Sequence, residues 1–155
     1  MKLVRHAGER FEFQLGGREK DLLMEILGLY PRIPSAYQRL SKSAGSEEPN
    51  QRLLEEALAE QRRENKKQLQ ALLADREKMT ENAQGWRLAL TSAELEQLLQ
   101  ILNDVRVGSW VRLGSPESRL EVLDEKMAPD FWAMETAGFF QIRFLQMLEK
   151  GTNRS

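Results

Sequence analysis

Phe11, Phe13 and Leu15 alternate with Glu12 and Gln14, so one side of this stretch faces inward and the other outward. Leu3 to Arg5 precedes it across the turn-like sequence His6-Ala7-Gly8-Glu9, and the pair predicts a β-hairpin. Gly16-Gly17 breaks the second strand, and Glu19 and Asp21 then fall in a first helical turn, where the helix dipole favours acids. Leu22, Leu23, Ile26, Leu27 and Tyr30 make the apolar stripe of that helix, which Pro31 ends. Residues 31–48 read as loop with room for one short helix around Ser35 to Leu40.

No Gly or Pro interrupts the chain between Pro49 and Gln84, which predicts one long helix with Pro49 at or just before its first turn. About 32 residues would span about 48 Å, more than the ~40 Å diameter of a compact domain of this length. Its middle, Gln61 to Gln68, carries no apolar residue, while Leu53, Leu54 and Leu58 lie before it and Leu69, Leu72, Leu73 and Met79 after it. Both ends are therefore expected to pack and the middle to stand in water. Trp86 to Leu90 alternates again and offers a third strand. Thr91-Ser92-Ala93-Glu94 is a capping box, with Leu90 and Leu95 placed for the hydrophobic staple around it. The helix it opens should run to Leu113 and stop at Gly114. Ser115-Pro116 offers a further short helix carrying Leu120, Leu123 and Met127, and Pro129 opens the last one, Asp130 to Lys150. The expectation is an α+β fold, mostly α: four to five helices with an N-terminal antiparallel hairpin. A single domain over 1–150 and a disordered tail over 151–155 complete it.

Two of these helices carry anomalies. At ~100° per residue, Leu95, Leu98, Leu99, Leu102 and Val105 share a face, and Arg106 points into the same sector. A guanidinium there must snorkel to water or find a carboxylate or an anionic ligand, because an unpaired buried charge is very costly. Asn103, Asp104 and Arg106 therefore form a candidate ligand or ion-pair site, and Gly108 and Ser109 would let another backbone approach. In the last helix Met134, Ala137, Phe140, Phe144, Leu145 and Leu148 define a core face, yet Trp132 and Phe139 lie among Glu135, Thr136, Arg143 and Gln146. With Trp110 they make a candidate interface to a protein partner or a second copy.

Composition removes many alternatives. Cysteine is absent, which excludes disulfides and thiolate chemistry and fits a reducing compartment. His6 is the single histidine, so no catalytic or metal-ligating residue is assigned and no cofactor is implied. Phosphate loops, dinucleotide fingerprints and nucleophile elbows are missing. Neither a leader at Met1 to Arg5 nor a membrane-spanning run is expected, which points to the cytoplasm. With 23 basic and 24 acidic residues the net charge is −1, so nothing global attracts nucleic acid. Arg62, Arg63, Lys66 and Lys67 are the local exception and the alternative reading, a nucleic-acid contact. Glu56, Glu60 and Glu64 run beside them at ion-pair spacing and no aromatic is interleaved, which favours a solvated face.

The hairpin with Gly8, the Leu-rich first helix ending near Pro31, and Leu90-Thr91 through Leu102-Asn103-Asp104-Val105-Arg106 to Arg112-Leu113-Gly114 resemble a bacterial family, domain of unknown function 2017. The resemblance covers most of the chain, and its more specific part is the Leu-Asn-Asp-x-Arg segment. The long polar helix and the stretch after Gly114 differ from the family. It implies no activity and no functional residues. Family genes often neighbour that of the Clp protease adaptor, and some members are labelled transcription regulators, so the resemblance implies a regulatory or adaptor role more than an enzyme.

Overall fold

A computed structural model describes residues 1–33, 48–116 and 124–152. The protein is α+β and mostly α. In chain order the elements are β1 (Lys2–Ala7), β2 (Arg10–Leu15), α1 (Gly17–Leu27), α2 (Glu48–Ala74), β3 (Met79–Asn82), β4 (Gly85–Thr91), α3 (Ser92–Arg112) and α4 (Ala128–Thr152). The four strands form one antiparallel sheet in the order β1-β2-β4-β3.

The hairpin forms as the alternation predicts, with Gly8 at φ 60° in its turn. The stretch at Trp86 to Leu90 does more than extend an edge. As β4 it lies in the centre of the sheet, pairing Phe11 with Leu90, Phe13 with Leu88 and Leu15 with Trp86. The long helix expected from Pro49 to Gln84 is shorter. It stops at Ala74, and β3 takes up the residues that follow. No Gly or Pro marks this stop. Asp75 makes the turn instead: its side chain accepts the N–H of Glu77, and its carbonyl accepts from Lys78 and Met79. Met79 then pairs opposite Leu88 and is buried, so sheet pairing decides a boundary that local propensity leaves open.

Residues of α1, α3 and α4 cover one face of the sheet. Phe13, Leu15, Leu88 and Leu90 meet Leu23, Ile26, Leu27, Leu98, Ile101, Leu102, Val105, Ala137, Phe140 and Phe144 in one core. Phe13 and Phe144 meet edge to face, with ring centroids 5.1 Å apart. Helix α1 ends before Tyr30, which is buried just outside it. Among the described side chains of helix α2 one is buried, Leu69; Leu72 and Leu73 pack beside it. Its polar middle does not stand wholly in water, because Lys66 donates to the Tyr30 carbonyl at 3.0 Å and Asn65 to the Tyr30 hydroxyl at 3.3 Å.

The capping box at the start of α3 is formed. Thr91 Oγ1 accepts from Glu94 N and Glu94 Oε1 from Thr91 N, while Lys78 Nζ reaches Glu94 at 2.6 Å. Burial pushes the Glu94 carboxyl up, but the Lys78 ammonium and the Thr91 donors outweigh it and hold it below its ordinary value of 4.5. At the other end Gly114, at φ 91°, follows the last turn of α3. Helix α4 continues through Thr152, into the range expected as a tail; residues 153–155 lie outside the described residues. The short helix expected around Ser35 to Leu40 lies outside them, and so do Leu120 and Leu123 of the one expected after Ser115-Pro116; Met127, the last apolar residue expected on that helix, lies in a turn just before α4.

Candidate docking groove

Three pairings across α3 and α4 show that the helices run antiparallel: Asn103 bonds Gln141, Arg106 lies against Gly138, and Arg112 bonds Asp130. Between them, on the side away from the sheet, opens a groove of about 620 Å³. Arg106, Val107 and Trp110 line it from α3; Met134, Glu135, Gly138, Phe139 and Ile142 line it from α4. Gly138 makes the wall low, since a Cβ there would sit 3.4 Å from Arg106 Cδ.

Helix α4 has two apolar faces. Ala133, Ala137, Phe140, Phe144 and Met147 are buried in the core. Roughly opposite, at ~100° per residue, Trp132, Phe139, Ile142 and Leu145 form a band about 140° wide. These four are 37%, 56%, 58% and 45% exposed, and among the described residues only Val4 and Leu53 join them as exposed large apolar side chains. The concentration of four such residues on one helix distinguishes this patch from scattered surface apolars, which are normal.

The candidate interface residues are thus only partly gathered. Phe139 and Trp110 line the same groove, with the Trp110 indole N–H held by the Pro116 carbonyl at 3.0 Å. Trp132 sits on the outer flank of the band and does not line the groove. Ile142 and Leu145 belong to the patch, although the helical pattern assigns Leu145 to the core face and does not single out Ile142. The signal that finds them is the helical projection of Trp132 and Phe139 carried forward one turn.

The other candidate trio comes apart. Arg106 is exposed at the rim of the groove, so its guanidinium snorkels to water, and it donates to Asn103 Oδ1 at 3.1 Å. The buried face of α3 is centred elsewhere because Ile101, Gly108 and Ser109 are also buried, which turns the helix away from Leu99 and Arg106. Asp104 points away from both. Its Oδ1 accepts the backbone N–H groups of Arg32, at 2.6 Å, and Ile33, at 3.3 Å. The backbone approach expected at Gly108 is present, since a Cβ there would lie 2.4 Å from the Arg32 carbonyl carbon. Asp130 completes this clamp by accepting from the guanidinium groups of both Arg32 and Arg112. Asp104 thus anchors the segment after α1.

Arg62, Arg63, Lys66 and Lys67 of α2 do not present one charged face. Arg63 pairs with Glu60 at 2.6 Å, and Lys66 is turned onto Tyr30. Arg62 is half-buried and borders a small cavity of about 170 Å³ with Tyr30, Asn65, Gln100 and Asp104. Lys67 is exposed, and Glu64 accepts from Gln68. His6 stacks on Phe11 with centroids 4.2 Å apart and contacts the Gly8 carbonyl, a role within the hairpin. Among the described residues no group of His, Cys, Asp or Glu is arranged to hold a metal ion, and no helix is long and apolar enough to cross a membrane.

No protein-family model matches this chain, and no curated protein and no solved structure matches it either.

Proposed function

We propose that this protein is a non-catalytic interaction domain, of regulatory or adaptor type, that binds a protein surface through the groove between α3 and α4. The observation that carries the proposal is the second apolar face of α4, which a self-contained domain does not need. Burying its side chains on a partner would supply roughly 25 cal/mol per Å² of apolar surface removed from water, and aromatic anchors beside a groove are the usual sites of concentrated binding energy. The likeness to the domain of unknown function 2017 family, and a setting in the bacterial cytoplasm, belong to the same proposal.

The test is capture by the tagged full chain from a native bacterial lysate, with and without nuclease, using the wild type and the double variant Trp132→Ser/Phe139→Ser. A discrete protein that survives nuclease and is lost in the variant supports the groove. Material retained by the variant but lost with nuclease overturns it in favour of the basic segment at Arg62 to Lys67. Both substituted residues face outward, so the helical circular-dichroism signal should not change.

A further inference from the structure

The groove reading does not say what occupies the groove. Two features of the patch bear on that question. The first is shape: the patch holds both a concave part and a convex part. Val107, Trp110, Met134 and Gly138 line the groove; Phe139 and Ile142 line it too, and, more than half exposed, they form the ridge at its α4 edge. The second is charge. The groove is lined by one cation, Arg106, and one anion, Glu135, and both are exposed. Among the described residues neither has an ion-pair partner; Arg106 bonds only the neutral Asn103. Within one molecule no ion pair joins the two.

A two-fold symmetric contact uses the same patch on both molecules, so every pair it makes is made twice with the roles exchanged. A patch carrying a groove and a ridge, a cation and an anion, meets this condition by itself. Turned about a two-fold axis, the Phe139–Ile142 ridge of one molecule faces the groove of the other. Arg106 of each then faces Glu135 of its mate. A hetero-partner would need neither the balance of charge nor the pairing of ridge and groove on one surface.

Resting on the groove reading, we propose that the occupant is a second copy of this chain, forming a two-fold dimer with α4 against α4 and with two reciprocal Arg106–Glu135 ion pairs. The apolar band supplies the affinity and the charges fix the register, since like charges brought together at an interface are strongly disfavoured.

The experiment is sedimentation of the full chain over a wide concentration range, for the wild type, Arg106→Glu, Glu135→Arg and an equal mixture of the two variants. Both substitutions lie on exposed positions, and circular dichroism checks that each variant is folded. The wild type should be a dimer in equilibrium with monomer. Each single variant places like charges at both reciprocal contacts, and its association should weaken by about tenfold or more. Mixing them should restore the dimer. The carboxylate introduced by Arg106→Glu then faces the guanidinium introduced by Glu135→Arg, and the second contact joins the unaltered Glu135 of one chain to the unaltered Arg106 of the other. Restoration on mixing is the outcome that a reciprocal contact between positions 106 and 135 requires.

A wild type that sediments as monomer throughout overturns the second-copy proposal. So does a dimer that both variants leave intact, or one that mixing fails to restore. The groove reading is judged separately: if lysate capture still depends on Trp132 and Phe139 while the chain is monomeric, the groove holds a different protein. If both the capture and the self-association are missing, the groove reading falls as well.

Discussion

Asp104 and Gly108 fasten the segment after α1 to α3 by two different means. The carboxylate takes two backbone N–H groups that would otherwise be left without partners, and the missing side chain lets the backbone of Arg32 lie directly on the helix. Gly108→Ala should destabilise by about 1–3 kcal/mol, because the added carbon meets backbone and not a movable side chain. Asp104→Ala should cost a similar ~1–3 kcal/mol through the stranded donors; both are read from urea midpoints. Glu94 acts on a smaller scale and on a different variable. Glu94→Ala removes half of the capping box and the Lys78 contact, at about 1 kcal/mol near neutral pH. Because the folded carboxyl titrates below its ordinary value of 4.5, its contribution is full above that value and is lost as pH falls through the folded pKa. The stability gap between wild type and Glu94→Ala should therefore narrow on acidification; a gap that widens in acid would contradict the assignment.

The helices differ in how firmly they are held. Helix α4 sends Phe140 and Phe144 into the core, and Phe144 meets Phe13 of the central strand. Phe144→Ala should cost about 3–5 kcal/mol. Helix α2 is attached through Leu69, the half-buried Leu72 and Leu73, and polar contacts to Tyr30 and Gln97. Leu53 on its outer part is 66% exposed, so Leu53→Ala should change stability by less than about 0.5 kcal/mol. Local opening follows the density of buried apolar contacts. Amide exchange should therefore be fastest in the first half of α2 and slowest in β2, β4 and the middle of α3. Equal protection along α2 and α3 would show that α2 is held by more than these contacts.

For the molecule as a whole, a groove on one side and a sheet on the other give the domain a direction. The core lies between the sheet and α1, α3 and α4, while the second apolar face of α4 looks outward. If that face is covered by a second copy only in the folded state, stability is linked to concentration. The thermal midpoint of the wild type should rise with protein concentration, and that of Phe139→Ser should not. A midpoint independent of concentration in both would separate the groove from self-association.

Hydrophobic periodicity and capping chemistry are local properties, and they were legible in the chain. The alternation at Phe11 to Leu15, the Thr91-Ser92-Ala93-Glu94 box and the stop at Gly114 all lead to the elements observed. The doubly apolar character of the last helix was legible too, because Trp132 and Phe139 stand among charges whatever they pack on. The end of α2 was not, since Arg76 to Glu81 can continue a helix and becomes turn and strand only when Met79 pairs with Leu88. Nor was the direction of Arg106. A guanidinium at the edge of an apolar stripe is buried or exposed according to how the helix is rotated on its neighbours, and Gly108 against Arg32 sets that rotation. Whether Asn103, Asp104 and Arg106 act together depends on the same rotation, which is fixed only when distant segments meet.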